Sequence, residues 1–308
     1  MEKSFELRRE WMEEQQPFAC WLHGAAGNGG KWKEKLLVTL GTPQEVYRAD
    51  KETLEKLVGA ERAARLCAAR GKDVRKAYED MQNCGIVFYP FYHPEYPKRL
   101  LDIPDRPFGV YVKGKIRDDG PRVAVVGARD CSPYGSYVAE TFARGLAEMG
   151  LLVVSGMARG IDGIAQKAAL DANGSTCAVL GCGVDICYPA SNEALYREIC
   201  SNGVVLSEYP PRHEATALVV SAAKQNHKRA CRCGAGRGGA QKERNINHGG
   251  HGIGAGKRGL CHTGKNHRQT ERWVQQSTLA GRHDRIVPRT GGRGNPDDLG
   301  AEQVAEKG

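Results

Sequence analysis

The sequence contains no apolar run approaching the ~18 residues of a membrane-crossing helix, and its first sixteen residues are charged rather than apolar. No membrane association is expected, and the expected address is the cytoplasm. Aromatic residues are missing from a whole section: of four Trp, eleven Tyr and six Phe, only Trp273 lies beyond Pro211. Acidic residues are scarce there too. From Arg212 onward 18 Lys and Arg face 8 Asp and Glu, whereas residues 1–211 carry 27 against 28. The net charge of +9 therefore belongs to the tail and does not argue for a nucleic-acid partner of the body. Cysteine is plentiful, at eleven, but scattered; Cys131, Cys177, Cys182 and Cys187 fall inside an α/β pattern, so reduced core thiols are expected instead of a disulfide framework.

Residues 5–80 place Leu, Val and Ala at steps of three and four in "KWKEKLLVTLG" and "KETLEKLVGAERAARLCAA", which predicts a small helical domain. Between those stretches Thr42 and Pro43 mark a helix start, as N-cap and first helical position. The turn "GAAGNGG" could hold a DNA phosphate in a helix-hairpin-helix manner, although a tight link between helices explains its glycines equally well.

From residue 85 short aromatic and β-branched runs lead into a regular alternation: "RVAVVGARD", "LLVVSGMARGID", "STCAVLGCGVD" and "VVLSEYP" read as strands, separated by three amphipathic helices. Nearly continuous Val, Leu and Ala in alternation with helices predicts an α/β domain over 85–211, a doubly wound, parallel, Rossmann-like sheet.

Ligands of such sheets bind beyond the carboxyl ends of the strands. Three of those ends carry glycine: Gly127 with Arg129, Gly156 with Arg159 and Gly160, and Gly181 with Gly183. Glycine admits a phosphate close to the backbone, helix N-termini offer N–H donors, and Arg adds bidentate contacts, so the set predicts an anion site; tight turns and solvated arginines are the plainer alternative. The first turn, "GARDCSPYG", puts Arg where a dinucleotide motif needs glycine, and no nucleophile elbow accompanies a Ser, His and Asp set. No catalytic residue, cofactor or metal site is expected.

Four blocks, "VAVVGARDCSPYG", "VVSGMARGIDGIAQKAAL", "AVLGCGVDICYPASNEALYREI" and "VVLSEYPP", together with the lead-in "YPKRLLDIPDRPFGVYVKG", closely resemble the DNA-processing protein A (DprA/Smf) family, whose members often carry a helical domain in front. The resemblance covers residues 5–211. It implies a non-enzymatic, single-stranded DNA-binding protein of natural transformation that protects incoming DNA, assists loading of RecA and forms a homodimer. By the same resemblance Arg129 and Arg159 contact DNA, Gly127, Ser155, Gly156 and Gly160 shape the binding loops, and Asn192 is a further binding position. The alternative is a nucleotide phosphoribohydrolase-like enzyme on a related core, but its "PGGxGTxxE" loop is absent.

After "SEYPP" the resemblance stops. The segment 212–308 holds seven of nine His and seventeen of 39 Gly without a sustained period, and by composition should not pack. With codons chosen for residues 224–240, reading from the second base gives "NRIISGLADVVLVVEA", the stretch the family would have there. The tail is thus expected to be a frameshift product, which puts the homodimer and full DNA affinity in doubt. Its Cys231, Cys233, His248, His251, Cys261 and His262 fit no standard zinc spacing.

Overall fold

The computed structural model describes residues 2–25, 27, 29–71, 73–102, 106–116 and 120–214, with side chains from residue 11 onward. Apart from its first three residues, the tail 212–308 lies outside the described residues, so the readings placed on it find no structural counterpart.

Six helices come first: α1 (Glu2–Ala25), α2 (Lys31–Leu40), α3 (Pro43–Arg48), α4 (Lys51–Val58), α5 (Ala60–Ala68) and α6 (Val74–Asn83). Their starts follow the local chemistry. Thr42 and Glu45 form a reciprocal capping box ahead of Pro43, and Asp50 and Asp73 accept backbone N–H bonds at the starts of α4 and α6. The helical stretch 51–69 is divided into α4 and α5 at Gly59, whose φ of 85° a side-chain-bearing residue resists.

Lys33 of α2 is fully buried and donates to the carbonyls of His23 (3.1 Å) and Gly27 (2.6 Å), satisfying acceptors at the C-terminal end of α1. The buried His23 ring donates from Nε2 to the Glu208 carbonyl at 2.7 Å, leaving Nδ1 as the acceptor 3.5 Å from the lysine. Burial, then the neighbouring Lys33, hold the His23 imidazole down at about 3. Burial also lowers the Lys33 amine to about 7, against an opposing pull from Glu208.

The sheet follows: β1 (Ile86–Pro90), the one-turn α7 (Lys98–Leu101), β2 (Gly109–Gly114), β3 (Arg122–Ala124), α8 (Pro133–Glu148), β4 (Leu152–Ser155), α9 (Ile161–Asp171), β5 (Thr176–Leu180), α10 (Glu193–Asn202) and β6 (Val204–Ser207). Strand order is β1-β2-β6-β5-β4-β3. β3 to β6 are parallel, with Val123 beside Val153, Val154 beside Cys177 and Ala178 beside Val205; β2 joins β6 antiparallel, and β1 joins β2 likewise. The protein is therefore a mixed α/β fold with a helical front, as the sequence predicts.

Each crossover from β3 to β6 moves one position in the same direction, and right-handed crossovers then put α8, α9 and α10 on one face. The packing agrees. Val123 and Val153 meet Ala139, Ala143, Ala165 and Ala169, while Ala178, Leu180 and Val205 share a cluster with Leu170, Leu195 and Ile199. That second cluster continues through Phe88 and Tyr111 to Leu22 and Leu36, so the front helices and the sheet share one core. On the far face Val154, Cys177, Val179, Val204 and Leu206 pack with Val110, Val112, Tyr96 and Leu100, and a groove remains beside Pro97 and Ile116. Among the described residues the three crossover helices thus cover one face of the sheet, and β1 and β2 make it mixed instead of wholly parallel.

Candidate nucleic-acid interface

The loops leaving β3 and β4 are joined backbone to backbone. Val125 N donates to Val154 O at 3.0 Å, Ser155 Oγ donates to Val125 O at 2.5 Å, and Ile161 N donates to Ala128 O at 3.2 Å. Two glycines make the approach possible. A Cβ on Gly127 would lie 2.6 Å from the Ile161 side chain, and one on Gly160, whose φ is 82°, would lie 2.3 Å from Ala128 O and 2.5 Å from Arg129 O. Arg129 and Arg159 flank this seam, both exposed to solvent. The two arginines are thirty positions apart in sequence, and the seam brings the loops that carry them together.

The remaining residues singled out from the sequence support this seam. Ser155 is fully buried with its hydroxyl spent on the Val125 carbonyl, so it fastens β4 to the end of β3 and does not face solvent. Asn192 Nδ2 donates to Met157 O at 2.9 Å and Ala158 O at 3.4 Å, tying the start of α10 to the β4 loop. Gly156 is half-buried in that same loop. Met157, fully buried, holds a left-handed φ of 55°, a strained position for a non-glycine residue that the surrounding packing sustains. Gly183 serves a different end: its N–H donates to His213 O at 2.9 Å, and a Cβ there would lie 2.8 Å from Pro210 O, so it admits the chain after β6.

The electrostatics differ in one respect from the sequence expectation. Helix N-termini were expected to supply anion donors, yet both are occupied from within. The Ile161 N–H at α9 goes to Ala128, Asp162 in the first turn of α9 accepts from Gly127 N at 3.2 Å, and Ser132 caps α8 by accepting from Gly135 N at 3.1 Å. The guanidinium groups are left as the site's principal cationic donors. Arg159 is ion-paired with Asp130, whose side chain is 85% exposed against 63% for the arginine. Asp130 stands in plain view in "GARD", but nothing in the sequence announced a pairing across 29 positions.

Among the described residues no cluster of His, Cys, Asp and Glu could hold a metal ion, and no helix is long and apolar enough to cross a membrane. The eight described cysteines are unpaired, and burial pushes the Cys177 thiol up to about 12.

The chain is similar to known proteins over this region. Residues 87–224 match the profile of the family described as DNA recombination-mediator protein A, a span running past Pro211 into the tail. A putative DNA processing protein DprA of Mycobacterium tuberculosis is 50% identical over 108 residues, 34% of this chain and 28% of that protein. The DNA processing protein DprA of Streptococcus pneumoniae is 44% identical over 117 residues, 38% of this chain and 41% of its own length. The matched part thus spans under half of these relatives. The X-ray structure of DNA processing protein A from Streptococcus pneumoniae is similar with a TM-score of 0.58 and 29% identity, covering 70% of this chain and 75% of that one.

Proposed function

Since the chain belongs, through residues 87–224, to the DNA-processing protein A (DprA/Smf) family, we propose that it binds single-stranded DNA in the cytoplasm during DNA processing and natural transformation, without catalysis. In this reading it shields incoming strands and assists RecA loading, and the homodimer of the family depends on segments beyond Pro211. The observation that carries the reading is the glycine seam that joins the β3 and β4 loops, on which Arg129 and Arg159 are both exposed to solvent. Guanidinium groups held on a rigid backbone grip phosphates whatever the base sequence, as a strand protector requires.

Binding of an oligo(dT) strand measured against salt tests it. Each phosphate contact on a single strand contributes about 0.7 to the slope of log K against log salt. Arg129→Ala and Arg159→Ala should each weaken binding and flatten that slope by roughly this amount. Salt-insensitive binding, or a preference for duplex, would refute the assignment.

We further propose that the tail from Arg212 is a frameshift product and that the chain as written is impaired. Two features favour this. β3 pairs only with β4 among the described residues, and the far face is packed chiefly by the short 96–100 segment. The missing half of a doubly wound sheet would occupy both places.

A further inference from the structure

Large apolar side chains are exposed at eight described positions, and four of these, Val126, Tyr134, Tyr137 and Tyr188, lie in the connections that leave the carboxyl ends of β3 and β5 or in the first two turns of α8. Tyr137, at 62%, is the most exposed aromatic residue described. On α8 the side chains of Val138, Ala139, Ala143 and Ala147 are buried, which turns Tyr134 and Tyr137, three positions apart, toward the same outer side. The loop entering α8 carries Arg129 and Asp130, and Asp130 is the partner of Arg159. Exposed rings and exposed guanidinium groups are thus carried by connections at the same, carboxyl end of the parallel strands.

That combination has a specific chemical use. A single strand offers phosphates to cations and unstacked base faces to aromatic rings, whereas a duplex hides those faces. We propose that Tyr137, with Tyr134 beside it on α8, is a base-stacking platform for the strand whose phosphates Arg129 and Arg159 hold. The proposal rests on the single-strand-binding reading above, to which it adds the element that distinguishes single strands from duplex.

The test uses the 308-residue chain, an oligo(dT) strand carrying one 2-aminopurine, and the same strand with abasic sites. The platform requires the 2-aminopurine emission to fall on binding. Tyr137→Leu should weaken binding to the base-bearing strand by about tenfold, within the range for loss of one base–aromatic stack, while Tyr137→Phe keeps it. The abasic strand should bind wild type and Tyr137→Leu alike. A thermal melt of each variant checks the fold, which a side chain this exposed should not disturb. If Tyr137→Leu binds as wild type while Arg159→Ala loses affinity, the platform is wrong and the phosphate reading stands. If neither the wild-type chain nor the same chain with its frame restored after Pro211 binds a single strand, both fall.

Discussion

Asp130 holds a carboxylate against the guanidinium proposed to bind phosphate, so removing it should strengthen binding. The carboxylate pairs with Arg159, and both side chains are more than half exposed. A pair of this kind is worth about 0.2–1 kcal/mol, and that is what a phosphate must displace. A carboxylate left beside a bound phosphate adds about 1 kcal/mol of repulsion at ~4 Å in water, less once salt screens it. Together the two effects predict that Asp130→Asn binds oligo(dT) about two- to tenfold more tightly, and more so at low salt. Fluorescence anisotropy at several salt concentrations reads both the affinity and the slope, and the slope should not flatten as it does for Arg159→Ala. If Asp130→Asn instead weakens binding to the level of Arg159→Ala, the carboxylate orients the guanidinium productively, and the competition argument fails.

Two other expectations follow from backbone strain and from burial. Gly160→Ala forces a Cβ to within 2.3 Å of Ala128 O at a φ of 82°; it should lower the melting temperature and weaken DNA binding with both arginines intact, and unchanged affinity would show that the seam does not position them. Lys33 concerns stability and pH. Its folded-state value of about 7 lies below the roughly 10.4 of an unfolded lysine, so between those values only the unfolded chain holds the proton. Stability should then rise with pH above 7, the cost of the charged amine being fully felt below it. Denaturant melts between pH 7 and about 7.5, where unfolded cysteines are still mostly protonated, should show this rise in wild type and lose it in Lys33→Met. An equal rise in the variant would assign the slope to other groups.

Most of the sheet was legible because its signals are local. Runs such as "LLVVSG" bury strands whatever their neighbours, and Thr42-Pro43 sets a helix start within four residues. Arg129 and Arg159 could be singled out because glycine beside arginine at a strand end is itself a short pattern. What escaped is long-range. The Arg159–Asp130 pair, the burial of Ser155 under Val125 and the burial of Lys33 against His23 each depend on which loop meets which. A lysine inside a polar-looking helix gives no hint that its amine closes the end of another helix. Occupied helix N-termini escaped for the same reason: Asp162 is visible in "GID", but its acceptance of the Gly127 N–H exists only once β3 lies beside β4.

The direction of winding gives the frameshift proposal its sharpest test. From β3 to β6 the chain steps always toward β2, so the outer edge of β3 has no strand beside it among the described residues. β3 is also short, at three residues, which suits a strand awaiting a neighbour less poorly than a long open edge would. The shifted reading of the tail supplies "DVVLVVEA", an apolar strand of the kind a buried parallel position requires. Placed outside β3, it would pair that edge and bring its crossover to the far face, over the groove beside Leu100, Ile116, Val154 and Val179. Burying three large side chains there contributes about 5–9 kcal/mol, comparable to the ~5–15 kcal/mol of a whole domain. Restoring the frame should therefore raise the melting temperature by more than about 10 °C and abolish binding of a hydrophobic dye that the chain as written retains. Equal melting temperatures and equal dye binding would mean that the tail as written already completes the sheet, and the frameshift reading would have to be given up.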